Sequence, residues 1–130
     1  MLKRSRNSLL YIEDDAIVRD IICSFIAARY PAMSIDSSGS AHEGLELFRK
    51  QRHAIVLTDV HLNDSDGVSM ARAIRKKDPE TVIVFITGSS DVEPLADFKK
   101  TGPSHVLIKP VECDVLFEVL DTYLKADPVS

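Results

Sequence analysis

Two stretches, Ala54-Ile55-Val56-Leu57-Thr58 and Thr81-Val82-Ile83-Val84-Phe85-Ile86, are apolar at almost every consecutive position. A strand with one face in water alternates apolar and polar residues, whereas a strand buried on both faces does not. The runs therefore point to a parallel sheet with helices on both sides. Each stops abruptly at a polar residue, Asp59 in one case and Thr87 in the other. After Asp59 come Val60-His61-Leu62-Asn63 and then Asp64-Ser65-Asp66-Gly67, a composition of turns and helix starts. A buried strand that ends in an acid, followed by a loop and a helix, presents a reactive group at the carboxyl edge of a sheet. Asp59 is the first candidate for that group.

The rest of the chain repeats the pattern. Ser8 to Glu13 reads as a first strand that ends in the acids Glu13, Asp14 and Asp15, the last a candidate N-cap. The helix after it carries Ile17, Ile21, Ile22, Phe25 and Ile26 on one predicted apolar face and stops before Tyr30-Pro31. Met33 to Asp36 is a short second strand, and Ser40 caps a helix through Ala41, Leu45 and Phe48. A third helix starts after Asp66-Gly67 and uses Met70, Ala71 and Ile74. Thr87-Gly88-Ser89-Ser90 is a loop of small residues, followed by a fourth helix from about Val92 to Lys100, with Pro94 in its first turn. Ser104 to Ile108 is a fifth strand, ended by Lys109-Pro110, and a last helix from Glu112 to Lys125 is expected to bury Val115, Leu116, Val119 and Tyr123. Five strand–helix units in alternation imply a doubly wound α/β fold with right-handed crossovers.

The length of 130 residues suits one domain with a real core. It is expected to occupy 1–125, with 126–130 a tail or the start of a linker. A net charge of −4 argues against a nucleic-acid surface, because affinity for phosphates needs an excess of Lys and Arg. The short basic clusters (Lys3, Arg4 and Arg6; Arg75, Lys76 and Lys77; Lys99 and Lys100) read as solvated helix ends. No apolar run is long enough to span a bilayer and no signal-peptide pattern opens the chain. Cys23 and Cys113 lack metal-ligand spacing, and a reduced cytoplasmic setting fits them.

In a parallel sheet the strand ends on one side face a common crevice. Here they bring Glu13 and Asp14, Asp59, Thr87 and Lys109 to one edge. Clustered carboxylates without His or Cys ligands favour a hard cation, above all Mg²⁺. Uncompensated, they raise one another's pKa values. Lys109 would pair with Asp59 at rest, Thr87 would offer a hydroxyl, and the N–H groups around Val60, His61 and Gly88 would complete a cradle for a phosphoryl group taken up by a carboxylate nucleophile.

These marks in this order resemble the receiver domain of two-component response regulators, over almost the whole chain. The matching residues are Glu13-Asp14 after the first strand, Asp59 and the Asp64-Ser65-Asp66-Gly67 run that follows it, Thr87-Gly88, and Lys109-Pro110. The resemblance implies a flavodoxin-like fold with strand order 2-1-3-4-5. It implies that Asp59 accepts a phosphoryl group from a sensor histidine kinase or a histidine phosphotransfer protein. Mg²⁺ would be held by Asp14, Asp59 and the main-chain carbonyl of His61, with Glu13 acting through water. Thr87 and Lys109 would complete the site, and the Lys109-Pro110 bond would be cis. Such a domain is a signalling module with at most slow self-dephosphorylation, not a turnover enzyme. Its output would be a downstream protein or an attached output domain, and a homodimer could form through the fourth helix, fifth strand and fifth helix.

The chain departs from the family pattern in several places. Val106 stands where an aromatic usually does, Asn63 where proline is common, and Val111 where many members carry Phe. His61 and Ser89 occupy positions that tune the lifetime of the aspartyl phosphate. A phosphatase of the haloacid-dehalogenase type would need an Asp two residues after the nucleophile, where His61 stands. A nucleotide-binding domain would need a Gly-rich loop where Glu13-Asp14-Asp15 stands. The remaining alternative is a degenerate receiver that binds a partner without being phosphorylated.

Overall fold

The computed structural model describes residues 5–64, 66–88 and 95–124. The apolar runs are strands β1 (Ser5–Ile12), β2 (Ser34–Ser38), β3 (His53–Asp59), β4 (Val82–Thr87) and β5 (Ser104–Ile108). The helices are α1 (Ala16–Arg29), α2 (Ala41–Gln51), α3 (Gly67–Lys77) and α4 (Cys113–Leu124). The strands form one parallel sheet in the order β2-β1-β3-β4-β5, the flavodoxin-like arrangement. Every residue of β4 is buried, as a strand covered on both faces requires.

Alternation along the strands divides the interior in two. Leu10, Ile12, Val56, Ile83 and Phe85 face one way and pack with Phe48 of α2 and Met70 and Ile74 of α3. Leu9, Tyr11, Ile55, Leu57 and Val84 face the other way and pack with Ile26 of α1 and Leu116 and Leu120 of α4. Asp15 caps α1 through Ile17 N and Val18 N (3.0 and 3.1 Å), and Ser40 caps α2 through Glu43 N (3.1 Å). Asp66 caps α3 through Ser69 N at 2.6 Å.

Some expectations fail. The apolar stripe of α1 is not buried as a whole: Ile26 is, but Ile17 is 73% exposed and Ile21 and Phe25 are each 48% exposed. The stripe is wider than the surface the sheet and α4 offer it. Val115, expected inside, is also exposed, because α4 buries Leu116 and Leu120 instead. β2 lies further along the chain than Met33–Asp36, since its register with β1 continues to Ser38 opposite Ile12. Of the helix expected from about Val92 to Lys100, residues 92–94 lie outside the described residues. Residues 95–96 are helical and Asp97–Thr101 is a 3-10 helix. Ser89, Lys125 and the tail 126–130 also lie outside the described residues.

Candidate functional site

Register sets the height of the strand ends. Ile12 lies opposite Thr58, Asp59 opposite Ile86, and Thr87 opposite Ile108. Glu13, Asp59, Thr87 and Lys109 therefore emerge at one level on the carboxyl edge, as the sequence led one to expect.

Asp59 ends β3 with its side chain almost entirely buried, 4% exposed, and two groups hold that carboxylate. Lys109 Nζ donates to Oδ2 at 2.6 Å, and the main-chain N–H of His61 donates to Oδ1 at 3.2 Å. Lys109 feels two opposed effects. Burial works against its ammonium, but the hydrogen bond and charge of Asp59, with Glu13 and Asp14 beyond, outweigh this and leave its pKa above the ordinary lysine value. Charge-assisted bonds of this kind are short and strong. Thr87 is buried, and its carbonyl accepts from Lys109 N at 2.8 Å, so the ends of β4 and β5 are fastened together beside Asp59. The Lys109-Pro110 bond is cis.

Glu13 is buried as well, and its Oε2 accepts from Asp15 N at 3.1 Å. Burial first, and then the negative charge of Asp59, push its pKa above the usual carboxylate value, and the bond from Asp15 N offsets part of this. Asp14 is only half-buried. Among the described residues, no group of three or more His, Cys, Asp or Glu side chains converges as a ready-made metal cage. His61 is exposed; the structure uses its backbone, through the bond to Asp59 and a bridge to Asp66. Val60 N–H, expected in the cradle, is instead spent on Ile86 O at 3.1 Å.

Comparison with known proteins places the fold in a family. Residues 9–121 match the model of the response regulator receiver domain. The chain belongs to that family. Over 122 residues the receiver is 24% identical to the probable C4-dicarboxylate response regulator DctR of Bacillus subtilis, a match covering 94% of this chain and 54% of that protein. It is 31% identical over 111 residues to the transcriptional regulatory protein CitT of Bacillus subtilis, covering 85% of this chain and 49% of that protein. The chain spans about half the length of these curated relatives. Among solved structures it superposes on a CheY-like receiver domain protein from Methanospirillum hungatei with a TM-score of 0.82 at 21% identity, covering 95% of this chain and 98% of that one. No described helix of the receiver is long and apolar enough to cross a membrane.

Four residues that build this edge had no structural role assigned to them from the sequence. Gly67, seen only as a turn residue, packs so closely that a Cβ there would stand 2.2 Å from Asp59 O. Asp64 accepts from Ala41 N at 3.1 Å and His42 N at 3.3 Å, so it ties the loop after Asp59 to the start of α2. Those bonds hold its pKa below the ordinary Asp value. This tether stands next to Asn63, where proline is common in the family. Arg19 donates to Glu13 O at 2.6 Å and fixes the end of β1. Tyr11, buried one turn of strand before Glu13, lines an open cleft beside the site. Only Gly67, a glycine at a strand–helix junction, left a readable signal in the sequence.

Proposed function

We propose that Asp59 is the phosphoryl acceptor of this receiver and that a phosphohistidine on a sensor kinase or phosphotransfer protein is the donor. The observation that carries this reading is the buried Asp59 carboxylate, held by the Lys109 ammonium at 2.6 Å and by His61 N–H at 3.2 Å. A carboxylate oxygen of Asp59 attacks phosphorus, the P–N bond to the donor imidazole breaks, and its electron pair stays on the imidazole nitrogen. Both donors already point at the carboxylate, so the nucleophile is oriented before the phosphoryl group arrives. When the group has been transferred, Lys109 is free to pair with a phosphoryl oxygen and the Thr87 hydroxyl lies at the same level to bond another.

The chemistry of the donor set fits Mg²⁺. The carboxyls of Glu13, Asp14 and Asp59 share one edge, burial and then the charge of Asp59 disfavour the charged form of Glu13, and Mg²⁺ needs few protein ligands because it keeps most of its waters. Asp14, Asp59 and the His61 carbonyl would hold it, with Glu13 acting through water. When bound, the ion would neutralise charge on the phosphoryl oxygens. The phosphorylated domain works as a cytoplasmic switch that alters a protein-binding surface, loses its phosphate slowly, and contacts nucleic acid only through other parts of a regulator. The receiver unit is assigned to 1–125.

The test is intact-mass measurement after incubation with acetyl phosphate. A single phosphoryl adduct should form on wild type with Mg²⁺ and fail to form with chelator or in Asp59→Asn. Wild type without an adduct, while Mg²⁺ binding is measurable, sinks the proposal in favour of a phosphorylation-independent binding module.

A further inference from the structure

The turn that carries Glu13 and Asp14 is fastened to its surroundings mostly by backbone. Glu13 N–H donates to Ser38 O at the end of β2, at 3.0 Å. Asp15 N–H donates to Glu13 Oε2 at 3.1 Å, and Asp15 Oδ1 caps α1. One tie is of a different kind. It comes from the first turn of α1, where Arg19 Nη1 donates to Glu13 O at 2.6 Å. That carbonyl belongs to the peptide joining Glu13 to Asp14. A peptide unit is planar, so a bond to its oxygen sets the direction in which the chain reaches Asp14. The donor is charged, which makes the bond short and strong.

The loop between β2 and α2 makes room for this bond. A Cβ at Gly39 would stand 2.9 Å from Arg19 Nη1 and 3.7 Å from its Cζ, with Glu13 O next at 3.8 Å. Among the described residues the only glycine with positive φ is Gly102, so the backbone conformation at Gly39 does not call for glycine. The guanidinium does. Charge alone argues against an arginine here, because a cation beside Glu13, Asp14 and Asp59 opposes the arrival of a divalent ion. Lys109 already neutralises Asp59. Position and charge therefore act on metal affinity with opposite signs.

We propose that Arg19 is a positioning residue for the cation at the Asp59 edge, and that Gly39 is the residue that lets it take that position. The inference rests on the reading that Asp14, Asp59 and the His61 carbonyl hold Mg²⁺ with Glu13 acting through water. Arg19 touches neither the ion nor the phosphoryl group. It holds the Glu13-Asp14 peptide in one orientation before the ion arrives, and groups that orient metal ligands in this way contribute to affinity without coordinating.

The test titrates MgCl₂ alone into the ¹⁵N-labelled full chain at neutral pH and follows amide shifts, at a temperature well below the thermal midpoint of every variant. Arg19→Met removes both the bond and the charge. Gly39→Ala keeps the charge but pushes the guanidinium off Glu13 O, since the atom its methyl meets is the free end of a flexible side chain. Each should weaken Mg²⁺ about tenfold or more, although loss of charge by itself would tighten binding in Arg19→Met. The double variant should bind no more weakly than Arg19→Met, because no guanidinium is left to displace. Equal or tighter binding by Arg19→Met, wild-type affinity in Gly39→Ala, or additive losses in the double variant would each overturn the proposal. Any of these, with saturable Mg²⁺ binding and a phosphoryl adduct in wild type, overturns this inference alone. Wild type without saturable shifts overturns the metal reading and this inference with it.

Discussion

The two faces of the sheet are covered by helices in the same way, yet they are finished differently. On the α2–α3 face the helices are tied down. Asp64 joins the β3–α3 loop to α2, Gly67 lets α3 approach β3, and Phe85 and Phe98 stack edge to face at 5.0 Å. Arg75 of α3 is buried and donates to the carbonyls of Pro79 and Pro103 (2.9 and 2.7 Å), and its guanidinium lies over Phe98 at 5.5 Å. On the α1–α4 face the outer parts of both helices remain apolar and exposed, and an open cleft runs beside them. That helix pair is tied mainly at one end, where Asp121 binds Arg29 at 2.6 Å and Tyr30 at 2.5 Å. One face is built for stability. The other keeps apolar surface that the fold itself does not consume, next to the Asp59 edge.

Truncating one helix phenylalanine on each face gives the largest expected difference. Phe48→Ala on the closed face should cost about 3–5 kcal/mol in urea unfolding. Phe25→Ala on the open face should cost under about 1 kcal/mol. Equal losses would end the distinction. Next comes Arg75→Met, which keeps the apolar stem but leaves buried carbonyls without donors; about 2–3 kcal/mol should be lost by the same measurement. A smaller effect is expected from Gly67→Ala, whose new methyl meets backbone rather than a mobile side chain. It should cost about 1–3 kcal/mol and slow adduct formation on Asp59, read by timed mass spectra.

The mildest test uses pH. His53 is buried on the closed face, with Nε2 2.7 Å from Asp36 Oδ2 and its ring stacked on Phe48. Burial lowers its pKa from the ordinary 6.5, and Asp36 offsets part of that. The unfolded chain takes up the proton first, so this contribution is complete above about pH 6.5 and is lost as pH falls below it. Glu13, raised above its ordinary 4.5, acts in the opposite sense: its contribution falls as pH rises through that region. Urea midpoints at pH 8 and pH 5.5 should therefore differ less in His53→Gln than in wild type. An unchanged difference would remove His53 from the account.

The sheet was legible because β3 and β4 advertise burial on both faces, and parallel pairing then brings Glu13, Asp59, Thr87 and Lys109 to one edge without any contact being known. α1 was misread for a physical reason: helical periodicity reports that a stripe is apolar, not how much of it a neighbour covers. Ile17 and Ile26 look alike in sequence and differ completely in exposure. Asp64, Arg75 and Tyr11 were illegible because each acts through contacts that exist only after folding. Asp64 reaches a helix start 23 residues earlier, and Arg75 reaches a carbonyl 28 residues later.

The most direct measurement traps the acceptor chemically. After reaction with acetyl phosphate and Mg²⁺, borohydride reduces an acyl phosphate on aspartate to homoserine, and peptide sequencing by mass locates it. The account predicts homoserine at position 59 and nowhere else. Reduction at Asp14, Asp64 or Asp66 with Asp59 intact, or no homoserine in protein that carries a phosphoryl adduct, would contradict it.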